Sequence, residues 1–244
     1  MRICLIPLKT EVRKPLVNIE HLKDRLDKAM CHRPDLVCFP ECTITGYLCS
    51  KDDFTEFAEP IPGPTTSIIG RLAKEKKTYI CFGLLESAAE GTYNTAVLFD
   101  GSGNIVLKHR KISEKPPFVS GNILTFADTA LGRLGILICG DLFDKKCMGH
   151  LDTSLDFILT PMSRGFGNLS PDEDRWIKEE RQAYLEEVKT SGKTTFLVNA
   201  LETCKEGPAF GGAMVINSQG CLLAESRHGT DTELVWDLNS KIQL

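Results

Sequence analysis

Short apolar runs rich in branched side chains alternate along this chain with stretches whose apolar residues recur at helical spacing. Residues 2–7 read as a buried strand. Ile19, Leu22, Leu26, Ala29 and Met30 share one face of a helix over about residues 17–31. Residues 35–39 form a second strand, closed by Pro40. A helix over 64–77 groups Ile68, Ile69, Leu72 and Ala73, and a strand over 78–84 follows. Residues 94–99 and 104–109 make a hairpin across Asp100-Gly101-Ser102-Gly103. Further strands are predicted over 123–127, 132–139 and 157–160. Ser170-Pro171-Asp172-Glu173 reads as a helix start, with a capping serine, a first-turn proline and a capping-box glutamate. That helix runs to about residue 189 with Trp176, Ile177, Tyr184, Leu185 and Val188 inward. A strand over 194–199, a hairpin of 213–217 with 221–224 over Ser218-Gln219-Gly220, and a strand over 233–238 complete the pattern.

Strand-helix-strand units early and hairpins later predict mixed sheets with helices packed on them. No linker, repeat or low-complexity tract divides the chain. Residues 1–244 therefore read as one α/β domain, and about a dozen strands favour two sheets over one.

Composition narrows the function classes. Hydrophobic residues are 42% and charged residues 25% of the chain, as in ordinary soluble proteins. Lys and Arg number 29 against 33 Asp and Glu, a net charge of −4 that gives nucleic acid or an anionic membrane no electrostatic reason to bind. No apolar run approaches the ~20 residues that span a bilayer. The opening Met1-Arg2-Ile3-Cys4-Leu5-Ile6-Pro7 lacks the longer apolar core of a signal peptide, so a cytoplasmic address is expected.

Ten cysteines are the unusual feature. In a reducing compartment most are small buried hydrophobes, and the question is which one reacts. Cys4, Cys38 and Cys81 sit in apolar strands. Cys31, Cys42 and Cys49 lie near Cys38, with His32 beside the first, but no C-x-x-C pair exists and no metal site is expected. Cys147, Cys204 and Cys221 fall in polar or hairpin contexts without an evident base. Cys139 differs. It ends the apolar run Leu134-Gly135-Ile136-Leu137-Ile138 and precedes Gly140-Asp141. Ligands of α/β folds bind beyond the carboxyl ends of strands. A thiol there stands on a rigid mount, and the Gly140 N–H beside it can face an oxyanion. None of the five histidines, His21, His32, His109, His150 and His228, sits where a Cys-His dyad would need it. Two other strand ends carry charge: Glu41 follows Leu36-Val37-Cys38-Phe39-Pro40, and Lys111 follows Val106-Leu107-Lys108-His109-Arg110. Alone, each is an ordinary loop charge. Together, a carboxylate, an ammonium and a thiol each follow a separate apolar strand.

Those residues resemble the carbon–nitrogen hydrolase (nitrilase) superfamily. The likeness is carried by Phe39-Pro40-Glu41 with Thr45-Gly46-Tyr47, by His109-Arg110-Lys111, and by Gly135-Ile136-Leu137-Ile138-Cys139-Gly140-Asp141, with separations of 70 and 28 positions between the charged and thiol residues. Asn199-Ala200 and the segment from Gly211-Gly212-Ala213 to Gln219-Gly220 resemble the family's late hairpin, so the likeness covers nearly the whole chain. The resemblance implies a four-layer α-β-β-α sandwich with two mixed sheets, dimerised through a helical layer. It implies Glu41 as general base, Lys111 as the cation beside the oxyanion and Cys139 as nucleophile. Glu114-Lys115-Pro116-Pro117-Phe118-Val119-Ser120-Gly121 matches the pattern of a second family glutamate, which makes Glu114 a holder of Lys111 or of a water, with an ordinary loop glutamate as the alternative. The chemistry needs no metal or organic cofactor.

The sequence departs from the family pattern at the site. Only three positions separate Lys111 from Glu114, where many members carry a longer covering loop, which implies a pocket that is open or closed by a partner subunit. Ser113 stands where a histidine is common, and Gly140 where tyrosine, tryptophan or asparagine often follows the cysteine. The tryptophan-glutamate pair of true nitrilases is absent after Cys139, which favours amides over nitriles. Tyr47 and Phe143 either line the pocket or pack beneath it. Arg164, just past a strand end, binds a substrate carboxylate or makes a surface ion pair. The leading expectation is a hydrolase of a small amide or carbamoyl substrate. Alternatives are a glutaminase supplying ammonia to a separate synthetase, suggested by Cys139-Gly140-Asp141-Leu142, and a catalytically silent scaffold on the same fold.

Overall fold

The apolar runs form strands buried on both faces, and their alternation shows which layers they separate. The computed structural model describes residues 1–166, 173–202 and 209–238. In chain order the elements are β1 (Arg2–Leu5), β2 (Lys9–Thr10), α1 (Pro15–Ala29), β3 (Leu36–Cys38), α2 (Lys51–Phe57), α3 (Pro64–Lys76), β4 (Tyr79–Ala88), β5 (Gly91–Phe99), β6 (Ile105–Arg110), β7 (Phe126–Thr129) and β8 (Gly132–Ile136). There follow α4 (Lys145–Gly149), β9 (Phe157–Met162), α5 (Glu173–Arg175), α6 (Arg181–Ser191), β10 (Thr194–Asn199), β11 (Leu201–Glu202), β12 (Ala213–Ile216), β13 (Leu222–Glu225) and β14 (Leu234–Asp237).

Twelve of these strands make two six-stranded sheets, ordered β14-β1-β3-β4-β5-β6 and β13-β12-β10-β9-β8-β7. Each sheet has a parallel trio, β1-β3-β4 in one and β8-β9-β10 in the other, flanked by antiparallel strands. The short pair β2-β11 stands apart. Alternate residues of one strand enter different layers. Ile3, Leu5, Leu36 and Cys38 of the first sheet pack with Leu134, Ile136, Leu159 and Phe196 of the second. The residues between them, Cys4, Val37 and Phe39, pack instead under Leu22 and Leu26 of α1 and Ile69 and Ala73 of α3. On the far side Ile158, Leu197 and Met214 meet Trp176, Tyr184 and Val188. Helices, sheet, sheet, helices: the fold is the four-layer α-β-β-α sandwich with two mixed sheets.

Several elements differ from their sequence reading. β4 and β5 run on to Ala88 and from Gly91, because Glu86, Thr92 and their neighbours read as loop although Glu86 is buried against Thr95, Lys108 and Arg110. The short helix α2 was not predicted; Ser50 caps it, accepting from the Asp53 N–H at 3.1 Å. The strand expected over 123–127 begins only at Phe126. The strand expected to reach Cys139 ends at Ile136, and Cys139–Phe143 is a 3₁₀ turn. α5 passes through a π-helical segment, Trp176–Glu180, into α6, and Ile177 faces outward at 41% exposure rather than inward. Cys147 is buried in α4, not polar in context. The predicted start at Ser170-Pro171-Asp172 and Cys204 lie outside the described residues. Among the described residues no helix is long and apolar enough to cross a membrane.

Candidate active site

Three of the predicted site residues follow the carboxyl ends of strands, where an α/β fold leaves a crevice. Beyond β3, the Phe39 N–H donates to the Cys81 carbonyl at 2.8 Å and the Gly83 N–H to the Pro40 carbonyl at 3.0 Å, so the chain stays alongside β4 up to Glu41. Gly83 is required there. A Cβ on it would lie 2.6 Å from the Cys42 backbone nitrogen and 2.8 Å from the Glu41 Cα. Beyond β6, the Lys111 N–H donates to the Asn94 carbonyl at 2.8 Å, which carries the pairing with β5 one residue further. Beyond β8, the Leu137 N–H reaches the Leu159 carbonyl at 3.0 Å, and the chain then turns sharply at Cys139, whose φ is +45°. Such a backbone is uncommon for a residue with a Cβ and marks an over-determined turn.

Glu41 and Lys111 are buried, 1% and 6% exposed. The Lys111 ammonium lies 2.8 Å from Glu41 Oε1 and 2.7 Å from Glu114 Oε1. Burial opposes its charge, but Glu41, Cys139 and Glu114 outweigh burial and raise its pKa above the ordinary lysine value. Glu41 Oε2 accepts the Ser163 N–H at 2.7 Å, from the end of β9. The Cys139 thiol is pushed up to about 12, first by burial and then by Glu41, against the opposing pull of Lys111. At neutral pH the Cys139 side chain therefore rests as a thiol.

Cys139 and Gly140 floor a cavity of about 390 Å³ walled by Phe143, Arg164, Glu180 and Tyr184. Phe143 is thus a wall residue, edge-on to Tyr184 with ring centroids 5.1 Å apart. Tyr47 lies behind Lys111 instead. Its hydroxyl donates to Glu114 at 3.1 Å and its ring centroid is 5.5 Å from the ammonium. Arg164 lines the cavity but is engaged by Glu180, at 2.8 Å and 3.1 Å. Of its two expected roles, the ion pair is the one present. Glu114 reaches Lys111 across the short gap, without the longer loop.

Five polar residues at the site, Asp141, His109, Glu202, Asn94 and Ser163, were not singled out from sequence. Asp141 accepts the N–H groups of Ile112 and Ser113 at 2.9 and 2.8 Å and that of Ile138 at 3.1 Å, and meets His109 Nε2 at 2.9 Å. It ties the Lys111 segment to the Cys139 turn. Burial works against its charge, but these donors prevail and hold it below the usual carboxylate range. Glu202 accepts from the Tyr47 N–H at 2.9 Å and the Ser163 hydroxyl at 3.2 Å, and burial raises its pKa. Asn94 donates to Glu41 and Glu114 at 2.7 and 3.0 Å. A signal existed for two of these: His109 stands two positions before Lys111 and Asp141 two after Cys139.

The arrangement matches a known family along most of its length. The sequence model of the family described as carbon-nitrogen hydrolase matches residues 13–243. The chain belongs to the carbon–nitrogen hydrolase family. This carbon–nitrogen hydrolase is 29% identical to the chloroplastic omega-amidase of Arabidopsis thaliana over 159 residues, 57% of this chain and 42% of that protein. It is 34% identical to a formamidase of Bacillus cereus (strain B4264) over 114 residues, 44% of this chain and 34% of that protein. The aligned stretches therefore span less than half the length of these relatives. A solved structure of a mutant amidase from Nesterenkonia sp. AN1, with the acetamide moiety of fluoroacetamide added covalently at its active-site cysteine, has the same fold. Its TM-score is 0.81 at 20% identity, covering 98% of this chain and 90% of that one.

Proposed function

We propose that this carbon–nitrogen hydrolase cleaves the C–N bond of a small amide through a thioester on Cys139. The observation that carries the reading is the convergence of Glu41, Glu114 and Lys111 beside a thiol that floors a cavity of about 390 Å³. The Cys139 sulfur attacks the amide carbon while its proton passes to Glu41. Two of the three ammonium donors of Lys111 face the carboxylates, which leaves the third for the developing oxyanion, with the Gly140 N–H as second donor. Glu41 returns the proton to the departing nitrogen as the C–N bond breaks. Water then attacks the thioester, giving a proton to Glu41, and the released sulfur takes that proton back. The sum is amide plus water to carboxylic acid plus ammonia or amine. Glu114 holds Lys111 against Glu41 throughout.

The wall of Phe143 and Tyr184, with the Arg164 charge already matched by Glu180, suits a compact neutral amide. Support comes also from the omega-amidase and formamidase among the relatives and from the cysteine adduct in the amidase of similar fold. The test is an amide panel that includes glutamine, followed by ammonia release and intact mass. The expected result is turnover with an acyl adduct on Cys139 that Cys139→Ala abolishes. No turnover and no adduct on any amide, carbamoyl or nitrile substrate would overturn the reading. Hydrolysis confined to glutamine would turn it to ammonia supply.

A further inference from the structure

Two buried glutamates on one lysine pose a physical problem. Lys111 supplies one positive charge, while Glu41 and Glu114 both place an oxygen against it. Like charges this close separate unless further donors hold them. The described structure supplies a second bridge between the same two oxygens. Asn94, fully buried on β5, points its Nδ2 at Glu41 Oε1, 2.7 Å away, and at Glu114 Oε1, 3.0 Å away. One ammonium and one amide nitrogen thus clamp the same pair of oxygens from two sides. The orientation of the amide is fixed from behind: the Cys42 thiol donates to Asn94 Oδ1 at 3.7 Å. A flipped amide would turn its oxygen toward two carboxylates. The Asn94 carbonyl also accepts the Lys111 N–H at 2.8 Å. One residue therefore touches the lysine, both glutamates and the segment that carries the first glutamate.

We propose that Asn94 is a positioning residue for the reaction, which locks Glu41 and Glu114 onto Lys111, and that the Cys42 thiol fixes the direction of its amide. The inference rests on the function proposed above. Asn94 touches neither substrate nor the reacting thiol; it acts through Glu41 and Lys111. Burial, reinforced by Glu41, keeps Cys42 in the protonated, donating form. This gives one of the nine thiols other than Cys139 a duty at the site. The charged and titratable groups interacting with Glu41 among the described residues include Lys111, Glu114, Cys139, Cys42, Glu202, Tyr47 and Tyr184. Among the described residues only Lys111 and Asn94 donate to both glutamates.

Asn94→Leu keeps the size of the side chain and removes the donor, and Asn94→Ser is the milder second variant should the first fold poorly. A hydrogen bond to a carboxylate favours its ionised form, so its loss favours protonation. The expected result on an amide is a fall in kcat on the order of 10²-fold with KM nearly unchanged. The acid limb of the kcat/KM profile moves to higher pH. Cys42→Ser, which restores a donor, loses less activity than Cys42→Ala. An unmoved acid limb with kcat within threefold of the parent would overturn the proposal, as would a loss of activity that only tracks the unfolded fraction. Equal losses in Cys42→Ser and Cys42→Ala would overturn the part given to the thiol. Crystal structures of the parent and of the Asn94 variant, solved at one pH, separate this inference from the function itself. Should the parent turn over no amide, the function fails, while a glutamate swung away from Lys111 in the variant still supports the clamp. Both glutamates unmoved would sink the clamp whatever the enzyme hydrolyses.

Discussion

Two glycines near the reacting groups differ in what surrounds them, and the difference predicts two kinds of mutant. At Gly83 an added Cβ meets backbone, 2.6 Å from the Cys42 nitrogen and 2.8 Å from the Glu41 Cα. Backbone cannot rotate away. Gly83→Ala is expected to cost about 1–3 kcal/mol in a denaturant melt and to lower kcat on the order of 10²-fold by displacing Glu41. At Gly140 the added Cβ meets the Ser113 hydroxyl at 2.9 Å, the end of a side chain with no hydrogen-bond partner among the described residues. Gly140→Ala should therefore lose only about tenfold in kcat/KM. Ser113→Ala in the same protein should recover most of it, since only the oxygen clashes. Failure of that rescue in steady-state assays would show that Gly140 is needed for another reason. The same scale explains what sequence reading could find. Glu41, Lys111 and Cys139 could be picked out because each closes an apolar or strand-like run in the sequence. Asn94, Ser163 and Glu202 were not, because their partners come from other strands and no local pattern joins them.

At the level of elements, the edge strand that delivers Lys111 is held by one buried carboxylate. Glu86 on β4 accepts from Thr95 on β5 and from Lys108 and Arg110 on β6, at 2.8, 2.8 and 2.7 Å. Burial opposes its charge, but these donors overcome burial and bring its pKa from 4.5 down to about 2. A folded-state value below the unfolded one stabilises the fold above the unfolded pKa and loses that effect as pH falls through the folded one. The shift corresponds to about 3 kcal/mol at pH 7. Glu86→Gln should lower stability by about that amount at pH 7, and chemical melts should show the gap to the parent closing as pH falls from about 5 to about 2. A gap that stays constant with pH would assign Glu86 to packing alone. The elements themselves were mostly legible, since apolar periodicity places β1, α1, β3, α3 and β10 well. The hairpin of β4 and β5 was underestimated because its polar positions are satisfied across strands, and α2 because its capping serine precedes no apolar stripe.

Across the whole molecule, layers count for more than any single contact. Phe196 of β10 is fully buried between the sheets and meets Phe157 edge-on at 5.6 Å. Phe196→Ala should cost about 3–5 kcal/mol, read in a denaturant melt. On the outer helical layer, Ile177 is 41% exposed. We propose that a second copy covers this face; light scattering should then give twice the mass of the chain, and Ile177→Glu should reduce it to one. A parent that runs as a single copy would overturn this. The two-sheet architecture followed from the strand count, while the layer each strand enters needed the register that only the fold supplies.

Glu41 and Lys111 belong to one sheet, and Cys139 and Ser163 to the other. The proposed chemistry is thus split between the two sheets, whose segments are also joined by the Leu201 N–H donating to the Leu8 carbonyl at 3.0 Å. In the proposed reaction neither sheet suffices without the other, so turnover would act as a coincidence detector for their correct stacking. In mild denaturant or acid, a state that keeps its strands but loosens the space between them would still look folded by far-ultraviolet circular dichroism, yet would no longer acylate Cys139.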